Sequence, residues 1–437
     1  MENKIVLFWH RRDLRFDDNA GLYKALKSGY LVKPIFIFDR NILDKLPKTD
    51  QRVLFIHDAI KALKANYQSF GSDLKVYYGE PKAIFQKLMS EEKIAQVYTN
   101  RDYEPYALER DRAIFELLQN KDIELIGAKD HVIFEKSEVV KDDQKPYTVF
   151  TPYSKKWKAK LNAFYLKPYP NEKYADKLSK TEAQNLISLE EMGFSSKQNQ
   201  DFPTNDLSQL SIEHYGELRD IPSVRGTSRL SVHLRFGTIS IRSLAQIALK
   251  KNEHYLNELI WRDFYQMIMY HFPNSVTQSF KPQYDRIVWE NNEAHFKAWC
   301  EGLTGYPIVD AGMRELNQTG FMHNRVRMIT ASFLTKHLLI DWRWGETYFA
   351  EKLQDFELAS NVGGWQWAAS SGCDAAPYFR VFNPELQTQK FDKELKYIKQ
   401  WVPEFGTSKY PKPIVEHKFA RERVLARFKE GLAVDGL

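Results

Sequence analysis

Gly363-Gly364-Trp365-Gln366-Trp367-Ala368-Ala369-Ser370, followed by Cys373-Asp374-Ala375-Ala376-Pro377-Tyr378-Phe379-Arg380, is the stretch on which the reading of this chain turns. Two tryptophans stand two residues apart behind a glycine pair. On a helix that spacing sends their side chains to nearly opposite faces, so each meets a different neighbour. Such a helix suits a planar cofactor on one side and a planar ligand on the other; two core tryptophans read the same way. Of the ten tryptophans, eight lie between Trp261 and Trp401. A buried indole needs a partner for its N–H, so this crowding points to stacking or redox use, or else to a bulky helical core.

Working outward, the pattern from about residue 205 is helical to the end, with long apolar faces over 257–272, 308–319, 322–339 and 346–355. On the first of these, Glu258, Trp261, Arg262 and Tyr265 recur at i, i+3, i+4 and i+7 and share one face. Acid, indole, guanidinium and phenol in one stripe suit a ligand wall better than an aliphatic core. Asn324 and Met328 share a face at i, i+4. Thr227-Ser228-Arg229-Leu230-Ser231 follows a Pro/Gly turn and precedes an apolar run. Hydroxyls and free N–H groups at a helix start make either an anion cradle or a plain N-cap.

The first 127 residues alternate differently. Apolar, β-rich runs over 5–9, 31–38, 74–78, 94–98 and 123–127 enclose helical patterns near 50–68, 82–92 and 104–119. That rhythm predicts a doubly wound parallel sheet. No Gly-x-Gly-x-x-Gly follows the first run, so the dinucleotide fingerprint is missing. Residues 129–204 are polar and irregular and include Ser195-Ser196-Lys197-Gln198-Asn199-Gln200-Asp201. The expected division is an α/β domain over 1–128, a connection over 129–204 and a helical domain over 205–437.

At 437 residues the chain suits two or three domains, and 43% hydrophobic content permits well-filled interiors. No apolar run reaches the ~18 residues of a membrane span, and Met1-Glu2-Asn3-Lys4-Ile5 carries no signal-peptide pattern. Two distant cysteines, Cys300 and Cys373, argue for a reducing compartment, and a net charge of +6 permits an anionic partner without demanding one.

From Asp355 to Asp392 the chain closely resembles class I cyclobutane pyrimidine dimer photolyases of the photolyase/cryptochrome family. The resemblance extends from Phe8 to Lys412-Pro413-Ile414-Val415-Glu416-His417 and is densest from 215 to 392. It implies an α/β doubly wound parallel-sheet domain plus an all-α FAD-binding domain. It also implies light-driven repair of DNA containing pyrimidine dimers, a monomer, a cytoplasmic location of bacterial type beside chromosomal DNA, and no metal. By the same resemblance, Tyr215 and Thr227, Ser228, Arg229, Leu230 and Ser231 match the FAD diphosphate segment. Asp355 and Glu357 match the acidic pair near the flavin ribose and isoalloxazine edge, where the family usually has aspartate at the second position. Arg327 matches the partner of the first acid. Asn361 matches the position beside the flavin N5, which is aspartate in plant cryptochromes and cysteine in animal ones.

Glu258, Trp261, Asn324, Met328 and Trp367 match the residues lining the dimer pocket. The (6-4) photolyases differ where this chain has Phe321-Met322-His323-Asn324-Arg325. Arg219 and Arg325 match positions that contact the DNA backbone. Trp365, Trp342 and Trp289 match a three-tryptophan electron relay. In the α/β half, Tyr106 and Ala107 replace an Asn-Glu pair that some members use to bind a folate antenna. The replacement argues against folate and leaves a deazaflavin, a second flavin or no antenna. The rival expectation is a cryptochrome photosensor; Asn361, the full pocket set and the short segment after His417 speak against it. An ordinary flavin oxidoreductase would need a substrate acid or base, for which no candidate stands out.

Overall fold

A computed structural model describes residues 4–197 and 202–433, so positions 198–201 of the expected connection lie outside the described residues. Packing groups the chain into two units. One comprises Met1–Glu135, Lys160–Gln209 and Arg229–Lys250; the other comprises Lys136–Ala159, Leu210–Ser228 and Lys251–Leu437.

The first unit is built on five parallel strands: β1 (Ile5–His10), β2 (Leu31–Asp39), β3 (Lys75–Gly79), β4 (Ile94–Asn100) and β5 (Glu124–Ala128). Their order is β3-β2-β1-β4-β5. The expected runs became strands because a sheet covered on both faces needs apolar residues at successive positions. The alternation is visible in the packing. Val6 and Phe8 of β1 join Phe36 and Phe38 of β2 in one core, while Leu7 and Trp9 join Ile35 and Ile37 in the other. Helices α1 (Ala20–Leu26) and α2 (Gln51–Ser69) fill the first core; α3 (Pro81–Glu91) and α4 (Pro105–Gln119) fill the second. Asn19 caps α1 and Asp50 caps α2, and Pro81 and Pro105 open α3 and α4.

Chain order reverses between β1 and β4, the place where such sheets usually open a ligand crevice. Here it is filled. Asn100 Nδ2 donates to Asp13 Oδ2 (2.6 Å) and to Asn19 Oδ1 (2.8 Å), and Gly21 N–H donates to Asn100 Oδ1 (2.9 Å). All three side chains are buried.

The second unit is helical: α5 (Phe150–Lys160), α6 (Glu253–His271), α7 (Pro307–Thr319), α8 (Asn324–Ser332), α9 (Trp342–Lys352), α10 (Leu358–Ala368) and α11 (His417–Leu432) are its principal helices. Two expected bounds shift. The helix expected from 322 starts at Asn324, where His323 caps it by accepting from Arg325 N–H (3.2 Å). It then widens into a π-turn over Phe333–His337. The helix expected over 346–355 starts at Trp342 and stops at Lys352, leaving Asp355 in the loop before α10. Helix α10 packs against α6, α8 and α9. Contact with α9 depends on Gly345, where a Cβ would lie 2.0 Å from the Trp365 ring.

Candidate functional site

Helix α10 carries the glycine–tryptophan run, and its faces diverge as the spacing requires. Trp365 is buried and Trp367 half-buried. The two glycines before them also differ. At Gly363 a Cβ would meet the Tyr265 ring at 2.3 Å; at Gly364 it would meet nothing within 4 Å. Open space therefore lies beside Gly364. Asn361 lies one helical turn before Trp365. Its Nδ2 donates to the Glu346 backbone oxygen (3.1 Å) and to Glu346 Oε1 (2.9 Å). The amide nitrogen is thus occupied by Glu346. Burial pushes the Glu346 carboxyl up from the ordinary range, against the opposing Asn361 hydrogen bond. Nothing in the sequence marks Glu346, because its role exists only where α9 meets α10.

The acids before α10 are both paired. Arg327 Nη2 donates to Asp355 Oδ1 (3.1 Å) and Oδ2 (2.9 Å), and its Nε donates to the Met322 carbonyl (2.7 Å). Glu357, longer by a methylene than the family's usual aspartate, accepts from Arg262 Nη2 (3.1 Å) and Ser360 Oγ (3.0 Å). Both partners in the Arg262–Glu357 pair are buried. The helical spacing puts Arg262 in a ligand wall; its head group instead serves Glu357.

Tyr215 packs edge-on to Tyr255 with ring centroids 5.0 Å apart, and Tyr255 shares a hydrogen bond with Ser228 (2.8 Å). Thr227 and Ser228 belong to the helical unit; Arg229, Leu230 and Ser231 belong to the α/β unit. Arg229 adopts the left-handed conformation (φ 54°), Leu230 is buried, and a short helix, Ser231–Phe236, begins immediately after. The hydroxyls of Thr227 and Ser228 therefore precede the helix rather than cap it.

On α6, Glu258 pairs with Arg219. Burial pushes the Glu258 carboxyl up, and Arg219 opposes that shift. Trp261 is half-buried. On α8, Asn324 is exposed and Met328 half-buried. Arg325 donates to Asp220 Oδ1 from Nη2 (2.8 Å), lies 4.5 Å from the Phe391 ring centroid, and touches Met328 Sδ at 3.5 Å. Both arginines expected to meet phosphates are thus engaged by carboxylates of the chain.

Trp365 and Trp342 are buried, and neither indole N–H finds a hydrogen-bond acceptor among the described residues. Trp289 is half-buried and lies edge-on to Phe428 at 5.9 Å. An indole not singled out from sequence, Trp299, sits 6.0 Å from Trp365. Its only sequence signal is the crowding of tryptophans.

In the α/β unit, Tyr106 donates to Asp39 Oδ2, and the Arg110 guanidinium lies 5.7 Å from the Tyr106 ring and 5.0 Å from that of Trp9. Ala107 is buried. Glu104, just before them in the chain, is held by Arg12 (2.8 Å) and Arg235 (2.5 Å).

A doubly wound α/β unit and a helical unit with a buried acid–arginine pair and buried indoles thus stand in one chain. A profile described as DNA photolyase matches residues 6–173, and one described as FAD binding domain of DNA photolyase matches 255–408. The deoxyribodipyrimidine photo-lyase of Synechococcus sp. is 35% identical, with 97% of this chain and 96% of that one aligned. A bacterial class III photolyase from Agrobacterium tumefaciens superposes with TM-score 0.85 at 32% identity, covering 99% of this chain and 98% of that one. A Synechocystis cryptochrome superposes with TM-score 0.86 at 25% identity, covering 98% and 100%. The chain belongs to the DNA photolyase family. Its cofactor is FAD and its chemistry is the light-driven repair of pyrimidine dimers in DNA.

Proposed function

We propose that this enzyme works by the class I mode on cyclobutane dimers, with the residues of α6, α8 and α10 in the roles the sequence suggests. The observation that carries the reading is the junction of Asn361, Gly364 and Trp365 on α10: an amide oxygen and open space, with a redox-capable indole one turn on. The residues fit a flavin. Asp355 and Glu357 are fixed acceptors, Asn361 offers its carbonyl, and Gly364 leaves room for a ring system. Tyr215 and the Thr227–Ser231 segment would hold the diphosphate. Reduced FAD, when bound, supplies on excitation the electron that opens the cyclobutane ring.

The chain's own groups do the rest. Trp261 and Trp367 offer flat apolar surface to the extruded dimer. Photolyases are among the enzymes known to flip their target bases out of the duplex, a step that costs a few kcal/mol and costs least for a damaged pair. Glu258 and Asn324 serve the polar edge of the dimer. Arg219 and Arg325 exchange their carboxylates for phosphates as DNA arrives. Trp365 and Trp342 keep their protons when oxidised, because no acceptor is at hand, and Trp289 can release one to water.

Asparagine at 361 favours repair over photosensing. We also propose a monomer in the cytoplasm, the sequence division at 1–128, 129–204 and 205–437, and, in place of folate, a deazaflavin, a second flavin or no antenna. The test is repair of a dimer-containing oligonucleotide by the chemically reduced protein under blue light. Glu258→Ala should retain FAD and lose repair yield; wild-type yield in that variant refutes the pocket assignment.

A further inference from the structure

Helix α5 has apolar positions at i, i+3 and i+7: Phe150, Tyr153 and Trp157. The last two are buried and fasten the helix to α6. Trp157 Nε1 donates to Asp263 Oδ2 (3.0 Å), and the Tyr153 ring packs on Phe264 at 5.1 Å. At the first turn Phe150 lies edge-on to Phe264 (5.9 Å, 81°) and face to face with Trp261. There the ring centroids are 3.7 Å apart and the planes differ by 3°. Phe150 N–H also donates to Asp374 Oδ2 at 3.1 Å. Asp374 itself sits in the left-handed region (φ 48°) just beyond α10.

Parallel rings this close are less usual than offset or edge-on pairs with centroids about 4.5–7 Å apart. The neighbouring Trp261–Phe264 pair is edge-on, at 81°. The parallel stack is held in place by the anchoring of α5 through Trp157, Tyr153 and the Asp374 hydrogen bond. Its effect is to close one face of Trp261 while the indole stays only half-buried.

We propose that Phe150 is a positioning residue for lesion discrimination: it backs the Trp261 indole so that one fixed, flat face is presented to a dimerised pyrimidine pair. The inference rests on the reading of Trp261 as part of the lesion pocket. Undamaged DNA, held through its phosphates and not extruded, makes no use of that face.

Phe150→Leu keeps an apolar side chain against Phe264 but removes the planar ring; Phe150→Tyr restores it. Dissociation constants for dimer-containing and undamaged oligonucleotides are measured in the dark on the FAD-loaded protein, with FAD content and thermal midpoint alongside. Phe150→Leu is expected to leave affinity for undamaged DNA unchanged and to lower the damaged-to-undamaged preference about three- to ten-fold, the range of one aromatic pair. Phe150→Tyr is expected to recover the preference. A wild-type preference in Phe150→Leu, whatever its thermal midpoint, overturns the proposal. So does an equal loss on both DNAs, or a failure of Phe150→Tyr to recover. Trp261→Ala separates the two levels. If it too keeps wild-type preference, the lesion-pocket reading has failed; if it loses preference while Phe150→Leu does not, only the role of Phe150 has.

Discussion

Replacing Gly363 and Gly364 separately by alanine should have opposite effects, and the contrast tests where the cofactor lies. Both glycines are inside α10, so alanine favours the helix by about 0.8–1 kcal/mol at either position. At Gly363 the added methyl meets Tyr265 Cδ1 and Cε1 at 2.3 Å, against 3.4 Å for ordinary contact, so the ring has to move by about an ångström. Overpacking of that kind costs about 1–3 kcal/mol. The net expectation for Gly363→Ala is a loss of up to about 2 kcal/mol, with or without flavin. At Gly364 the methyl meets nothing within 4 Å, so the apoprotein should gain the full helix preference. The same methyl enters the space assigned to the flavin, so FAD bound per protein should fall. Denaturant midpoints of apoprotein and holoprotein, with the FAD-to-protein absorbance ratio, decide the matter. A Gly364→Ala protein that is more stable as apoprotein yet binds FAD as well as wild type refutes the placement of the cofactor beside α10.

Four further outcomes are expected. Trp365→Phe should abolish light-driven reduction of oxidised flavin by external reductant while leaving repair by pre-reduced enzyme intact; transient absorption reads both, and unimpaired photoreduction removes Trp365 from the relay. Arg325→Ala should weaken damaged and undamaged DNA alike and flatten the log–log salt dependence by about one unit. Arg219→Ala should do the same; an unchanged salt slope would confine either arginine to pairing within the chain. Lys336 is buried, with Nζ 2.9 Å from Ser370 Oγ, and burial pushes its amine down to about 7 from 10.5. Between those values the unfolded chain binds the extra proton, so stability rises with pH across that window and Lys336→Met should flatten the rise by about 1.4 kcal/mol per pH unit at most; an identical pH profile in the variant sinks the claim. Chromophore extracted from protein made in a folate-replete host should contain little folate, since Ala107 is buried without an acceptor and Glu104 is held by two arginines; near-equimolar folate would show that another residue has taken over.

The sheet was legible because burial on both faces writes itself into sequence as unbroken apolar runs: Val6, Leu7, Phe8 and Trp9 alternate between two cores without a polar residue to interrupt them. Helix α1 was not, since seven residues containing Gly21 and Lys24 hold too few turns to show a period. The π-turn over Phe333–His337 continues an apolar stretch, and nothing in residue type separates it from ordinary helix. In the site, faces of single helices were readable, but pairings between helices were not. Arg262 looks like a wall residue until α10 brings Glu357 to it, and Glu346 is an unremarkable helical acid until Asn361 arrives. Phe150 stands in a segment whose residues look irregular, so its stack on Trp261 leaves no trace in the local pattern.

The orphaned N–H groups of Trp365 and Trp342 bear on time rather than on place. A site that loses an electron without moving a proton returns to its starting state by the same route, with little nuclear rearrangement in either direction. Under the proposed relay, charge on the two inner indoles is therefore easily reversed, and swapping H2O for D2O should leave its lifetime there untouched. Persistence begins only at the half-exposed Trp289, where exchange with water makes the return journey depend on a proton coming back. If the three tryptophans form the relay proposed above, the time the protein holds the imprint of an absorbed photon is set by the hydration of its outermost ring, a surface property that solvent and neighbouring residues can adjust without disturbing the interior.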